Sequence, residues 1–80
     1  MSILAADVEP LAIDVEFPTD KLHVTLKDGR EIAAPLDWFP RLQKATTKER
    51  RNWRLIGGGL GIRWEEIDED ISVESLLRLR

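Results

Sequence analysis

The charged residues in the second half of this chain form two blocks of opposite sign. Residues 41–63 carry seven lysines and arginines against the single acid Glu49, a net charge of +6, whereas residues 65–74 carry six acids and no base. A basic block of this kind is typical of a surface that binds phosphate or of one that guides a protein partner. It is also consistent with two blocks that lie near each other and partly neutralise. The candidate partner-binding residues are Lys48, Arg50, Arg51, Arg54, Asp68, Glu69 and Asp70.

The charge of the whole chain argues against nucleic acid as the partner. The net charge is −3, and residues 1–40 contain eight acids and three bases. The first half of the chain and the acidic block would therefore repel phosphate. We predict a protein-binding module, and the alternative is a nucleic-acid-binding regulator that uses a basic helix at residues 47–56.

Three other features resemble chemical sites but lack the residues that such sites need. His23 is the only histidine, and no serine or cysteine nucleophile is placed beside it in a recognisable pattern. The glycine cluster at residues 57–61 lacks the Gly-Lys-Ser/Thr of a phosphate loop. The string Asp68-Glu69-Asp70 lacks the alternate spacing and central glycine of a calcium loop. We therefore predict no enzyme activity, no metal and no cofactor.

Length and composition indicate one small domain over residues 1–80. A chain of 80 residues buries only about 60 to 65% of its unfolded surface, so a homodimer is one way to gain stability. The absence of cysteine excludes disulfides and fits a reducing cytoplasm. The first residues contain no basic segment, and no apolar run approaches about 20 residues. We expect a cytoplasmic location and no membrane association.

The elements that would position these residues begin with a β-meander. Residues 11–17 alternate apolar and acidic positions, which predicts a strand with Leu11, Ile13, Val15 and Phe17 on one face. Residues 22–26 predict a second strand, followed by the turn Lys27-Asp28-Gly29. A three-residue loop with Gly29 in the left-handed conformation pairs Val24 with Ile32 and Leu22 with Ala34, which keeps one face apolar.

Two short helices are predicted next. Asp37 is a candidate N-cap for a helix that contains Pro40 in its first turn. Thr46 and Glu49 match a capping box, which predicts a second helix over residues 47–56 with Trp53 on its inner face. Gly57 would end this helix.

The last third of the chain predicts a strand and a helix. Residues 62–64 predict a short strand that completes or extends the sheet, and an acidic loop follows it. Ser72 can cap a final helix that buries Val73, Leu76 and Leu77. The fold class is therefore α+β: a small single domain with a three-stranded antiparallel β-meander followed by two short helices, a short fourth strand and a C-terminal helix.

Several motifs resemble the bacterial family of domains of unknown function 2442, over about residues 7 to 77. They are Leu26-Lys27-Asp28-Gly29-Arg30, Pro35-Leu36-Asp37-Trp38-Phe39-Pro40-Arg41-Leu42, Asn52-Trp53, Leu55-Ile56-Gly57-Gly58-Gly59 and Asp68-Glu69-Asp70-Ile71-Ser72-Val73. Arg63 and Glu65 depart from the pattern, which commonly has histidine and proline there.

Relatives in this family resemble small stand-alone proteins that are often encoded beside a short protein of the domain of unknown function 4160 family, as in a toxin–antitoxin pair. Some relatives join the domain to a helix-turn-helix module. The resemblance thus implies a binding or regulatory role, antitoxin-like, with a protein of that second family as the partner.

Overall fold

The computed structural model describes residues 10–78 of the chain. Two three-stranded antiparallel sheets are joined by short helices, so the fold is α+β as predicted. The strands are β1 (Ala12–Glu16), β2 (Lys21–Leu26), β3 (Glu31–Pro35), β4 (Trp53–Ile56), β5 (Gly61–Trp64) and β6 (Glu69–Ser72). The helices are α1 (Pro40–Lys44), α2 (Thr47–Arg51) and α3 (Val73–Arg78), with 3-10 turns at Leu36–Trp38 and Gly57–Gly59.

The first sheet, β1-β2-β3, has the predicted hairpin between β2 and β3. Val24 pairs with Ile32 and Leu22 with Ala34, and the backbone N–H of Gly29 donates to the carbonyl of Leu26 at 3.0 Å. Gly29 has φ +96°, which confirms the left-handed position of the three-residue loop. The apolar faces of the two strands therefore coincide as the sequence predicted.

The prediction for β1 was wrong in one respect. The register shifts between Ala12 and Asp14, so a bulge interrupts the alternation of the strand. Ala12 and Val15 are consequently buried, whereas Ile13 is 52% exposed. The strict period of two assumed for residues 11–17 fails at this extra residue.

The first helix begins later than predicted, and the second is shorter than predicted. The 3-10 turn Leu36–Trp38 comes first, and α1 then starts at Pro40 after Phe39 rather than after an Asp37 N-cap. The capping box of α2 is confirmed, because Thr46 Oγ1 accepts from the N–H of Glu49 and the Glu49 carboxylate accepts from that of Thr46. The predicted helix 47–56 was wrong beyond its first turns: α2 ends at Arg51, and residues 53–56 form β4.

The last third of the chain forms a second sheet, β4-β5-β6, rather than one extra strand on the first sheet. The predicted strand at residues 62–64 is confirmed as the centre of this sheet, and part of the predicted acidic loop is β6. Ser72 caps α3 by accepting from the N–H of Ser75 at 3.0 Å. Val73 and Leu76 are buried as predicted, but Leu77 is 44% exposed.

One hydrophobic core contains residues of both sheets, the 3-10 turn Leu36–Trp38, α1 and α3. Its buried residues are Ala12, Val15, Leu22, Val24, Leu26, Leu36, Leu42, Ile62, Trp64, Ile71, Val73 and Leu76. The turn Gly57–Gly59 lies against the start of β1, where a Cβ on Gly59 would stand 2.6 Å from the carbonyl oxygen of Ala12. This close approach of two backbones is one of the joints between the two sheets.

No helix between residues 10 and 78 is long and apolar enough to cross a membrane. Within the same residues, histidine and acidic side chains form no group of three that could hold a metal ion.

Candidate partner-binding site

The outer face of the second sheet carries a row of cross-strand ion pairs. The register places Arg54 opposite Arg63 and Arg63 opposite Asp70. Arg63 contacts three carboxylates: Nε lies 3.3 Å from Glu65 Oε1, Nη2 2.8 Å from Asp68 Oδ1 and Nη1 3.3 Å from Asp70 Oδ2. Arg54 Nε donates to Glu65 Oε2 at 2.9 Å. We call these five residues, Arg54, Arg63, Glu65, Asp68 and Asp70, the ion ladder.

The ionisation of the ladder follows from these contacts. The hydrogen bond from Arg54 lowers the pKa of Glu65, and the nearby charge of Arg63 adds to this effect. The hydrogen bond between Arg63 and Asp68 lowers the pKa of the Asp68 carboxyl and raises the pKa of the guanidinium. The acidic and basic blocks therefore partly neutralise each other within the molecule, as one of the interpretations of the sequence held.

Side chains from outside the second sheet hold the turn at residues 65–68. Asn52, just after α2, donates from Nδ2 to Glu66 Oε1 at 3.0 Å. Arg41 of α1 donates to the backbone carbonyl of Asp68, which has a φ of +51°. The acidic turn is thus fixed to both short helices.

Arg50 is held by a closed ring of contacts that we call the arginine clasp, formed by Phe17, Arg50 and Trp64. The guanidinium lies over the Phe17 ring at 5.8 Å, and Phe17 meets Trp64 edge to face at 6.2 Å. The Trp64 indole N–H donates to the backbone carbonyl of Arg50 at 3.0 Å, which closes the ring. The Arg50 side chain also donates from Nε to the Leu42 carbonyl and from Nη2 to the Gln43 carbonyl, both at 2.8 Å.

A groove of about 340 Å³ opens beside the clasp, between the end of β1 and α2. Its lining residues are Val15, Glu16, Phe17, Thr47, Arg50, Arg51 and Trp53. Two arginines and two aromatic rings therefore face one concave surface. Residues of these types are enriched at the centres of protein interfaces.

The predicted site residues divide among four environments. Arg54, Asp68 and Asp70 belong to the ion ladder, and Arg50 belongs to the clasp. Glu69 is half-buried opposite Trp64 on β6. Lys48 and Arg51 are exposed on α2, and within residues 10–78 neither forms an ion pair. The predicted residues thus do not form one continuous surface.

Sequence reasoning did not identify Phe17 and Trp53 as groove residues or Arg63 as the centre of the ladder. It placed Phe17 on the core face of a strand and Trp53 on the inner face of a helix. The run Trp53-Arg54-Leu55 alternates apolar and charged residues, and this strand signal would have placed Arg54 on the outer face. Arg63 alternates in the same way between the buried Ile62 and Trp64.

The comparisons with known proteins concern fold and family. The matching family model is described as Protein of unknown function (DUF2442) and covers residues 12–80. A crystal structure of a protein of unknown function from Rhodospirillum rubrum is 26% identical, with a TM-score of 0.75, covering 88% of this chain and 87% of that chain. A solution NMR structure of an uncharacterized protein from Chromobacterium violaceum is 24% identical, with a TM-score of 0.72, covering 95% and 71%, and shares the fold. No curated protein matches the chain.

Proposed function

The chain belongs to the family described as Protein of unknown function (DUF2442), as its motifs indicated, and we propose that it is a small regulatory module that binds a protein partner. The partner-binding surface is the exposed side of α2, with Lys48 and Arg51, together with the groove beside it. The role is binding rather than catalysis.

One observation carries this proposal: some basic side chains are paired within the ion ladder, and others remain available to a partner. Arg54 and Arg63 are neutralised by the carboxylates of the ladder, so their charges add little to the field outside the molecule. Lys48 and Arg51 form no ion pair in the part of the chain that the structure describes, and Arg51 lines an aromatic groove. A cationic rim around an aromatic depression suits a protein interface.

The same ladder weakens the case for nucleic acid. Glu65, Asp68 and Asp70 lie within the row of arginines on the second sheet, so a phosphate backbone that followed this row would meet carboxylates. Charge neutralisation of several phosphates is the main source of affinity in such complexes. We therefore keep the nucleic-acid-binding regulator as the alternative that the experiment below tests.

The first partner to test is the product of the neighbouring gene, which by family resemblance is a protein of the domain of unknown function 4160 family. An antitoxin-like role would follow from tight and stoichiometric binding of that protein. Coexpression followed by stopped-flow and calorimetric titration of the purified proteins measures the association rate and the affinity.

Charge reversal tests the surface directly. We expect the double variant Lys48→Glu, Arg51→Glu to slow association about tenfold or more at low salt, because rim charges act on the association rate. The control with the same change in net charge is the double variant Lys27→Glu, Arg30→Glu at the β2–β3 turn, at the other end of β1 from the groove, and we expect less than about a twofold change. Equal effects of the two changes would refute the proposed surface. Micromolar, salt-sensitive binding of mixed DNA or RNA would favour the alternative.

A further inference from the structure

We propose that the groove is a carboxylate-binding site, in which Arg50 and Arg51 receive an aspartate or glutamate from an extended segment of the protein partner. This inference rests on the proposed function, since it specifies the chemistry that the partner presents at the same surface. The acidic residue would be flanked by apolar side chains.

The first argument is the hydrogen-bonding capacity of Arg50. A guanidinium has five N–H donors in one plane, and Arg50 directs Nε and Nη2 to the carbonyls of Leu42 and Gln43. The donors of Nη1 meet no acceptor within residues 10–78. These donors, with the second N–H of Nη2, form the fork that pairs with both oxygens of a carboxylate.

The second argument is the rigidity of this arginine. Its side chain is fixed by two carbonyls and by the Phe17 ring, and its backbone is fixed by the Trp64 indole. An arginine normally loses much rotamer freedom when it binds an anion, and here folding has already removed that freedom. The clasp therefore preorganises Arg50 for a ligand.

The third argument concerns which anion fits. The groove volume of about 340 Å³ is near the lower end of the range of about 300 to 1,000 Å³ for ligand sites, which suits one or two side chains. Val15, Phe17 and Trp53 supply apolar walls, and the Thr47 hydroxyl supplies a further donor. Glu16 also lines the groove, and its charge disfavours a doubly charged phosphate more than a single carboxylate.

Two matched peptides test the site in the full-length protein. We would titrate the 15N-labelled chain with acetyl-Leu-Glu-Leu-amide and with acetyl-Leu-Gln-Leu-amide, and follow the Arg50 Nε–H, the Arg51 amide and the Trp53 indole N–H by NMR. We expect saturable shifts of these three signals, with the glutamate peptide bound at least about tenfold more tightly than the glutamine peptide. Equal affinity for the two peptides would overturn the inference. Tighter binding of inorganic phosphate than of the glutamate peptide would also overturn it.

Variants on α2 and β1 separate this site from a general effect of charge. Arg51→Gln should weaken the glutamate peptide about tenfold, whereas Lys27→Gln, which removes the same charge from the β2–β3 turn at the other end of β1, should change it less than about twofold. Glu16→Gln should tighten binding, a result that a purely structural role would not produce. Arg50 is left intact because it belongs to the clasp, and its own Nε–H signal reports its contact.

The two proposals fail in different ways. If the neighbouring gene product binds but Arg51→Gln weakens it no more than Lys27→Gln does, the protein-binding function stands and the carboxylate site is refuted. If the glutamate peptide binds as expected but that gene product does not, the site is supported and the proposed partner is refuted.

Discussion

Substitution of Gly59 by alanine should disrupt the joint between the two sheets. Gly59 has φ +110°, a conformation that alanine rarely adopts, and an added Cβ would lie 2.6 Å from the carbonyl oxygen and 3.1 Å from the nitrogen of Ala12. Both neighbouring atoms belong to the backbone of β1, so no side-chain rotation relieves the overlap. Either the strand or the turn must move.

The size of the effect follows from the positive φ at Gly59 and from the overlap of the added Cβ with the backbone of Ala12. A residue held in a sparsely populated backbone conformation costs of order 1–3 kcal/mol, and overpacking costs typically about 1–3 kcal/mol. Loss of the glycine from the unfolded chain returns about 0.4–1 kcal/mol. At the middle of these ranges the free energy of unfolding should therefore fall by about 3 kcal/mol, which corresponds to a decrease in Tm of roughly 12–24 °C for a domain of this size.

Gly58 is a matched control for this change. It also has a left-handed φ, +68°, but a Cβ there would meet no atom within 4 Å. Gly58→Ala should thus alter the free energy of unfolding by about 1 kcal/mol or less. Urea denaturation monitored by tryptophan fluorescence would measure both variants. If the two variants differed by less than about 0.5 kcal/mol, the close approach of the turn to β1 would not be a joint of the fold.

Two further results are expected. Trp64→Ala should lower the free energy of unfolding by about 3–5 kcal/mol and unfold so small a domain, because Trp64 is fully buried. Trp53→Ala should lower it by roughly half as much, because Trp53 is half-buried. Circular dichroism during thermal melting distinguishes the two variants. Glu65 and Asp68 have lowered pKa values in the folded protein, so their ionised forms stabilise the fold. This stabilisation is complete at pH values above the ordinary pKa values of 4.5 and 3.8, and it is lost as the pH falls through the lowered pKa values of the folded state. The Tm should fall less steeply with acid in an Arg63→Gln variant, and parallel curves for the two proteins would contradict this assignment.

The first sheet could be predicted from the sequence almost completely. Its register depends on local signals, namely the alternation in β2 and β3 and a turn that only glycine satisfies at Gly29. The bulge in β1 could not be predicted in the same way. It depends on how Ala12 meets Leu26 across the strands, which is a tertiary contact rather than a local preference.

The second sheet was only partly predictable because a helix signal and a strand signal overlap in sequence. The capping box at Thr46 determines where α2 starts but says nothing about where it ends. Trp53 pairs with Trp64 across β4 and β5, and this pairing of residues distant in sequence determines the change to a strand. Tertiary contacts therefore determine that residues 53–56 form a strand rather than the end of a helix.

The same ambiguity explains why the candidate site had to be revised. On a helix at residues 47–56, Arg50, Arg51 and Arg54 would share one solvated basic surface. Once β4 begins at Trp53, Arg54 lies on the outer face of a sheet opposite Arg63, and the acidic turn neutralises it. The number of arginines in a sequence therefore overestimates the charge that is available to a partner.

The separation of charge also supports our proposal of a binding surface beside α2 rather than on the second sheet. Side chains of the ladder already satisfy one another, so a partner would have to break existing ion pairs before it gained new ones. Arg50 has the opposite property, since its internal contacts fix the side chain and leave the Nη1 donors without an acceptor in the described part of the chain. A partner that brings a carboxylate to Arg50 gains hydrogen bonds without breaking any within the described part of this chain.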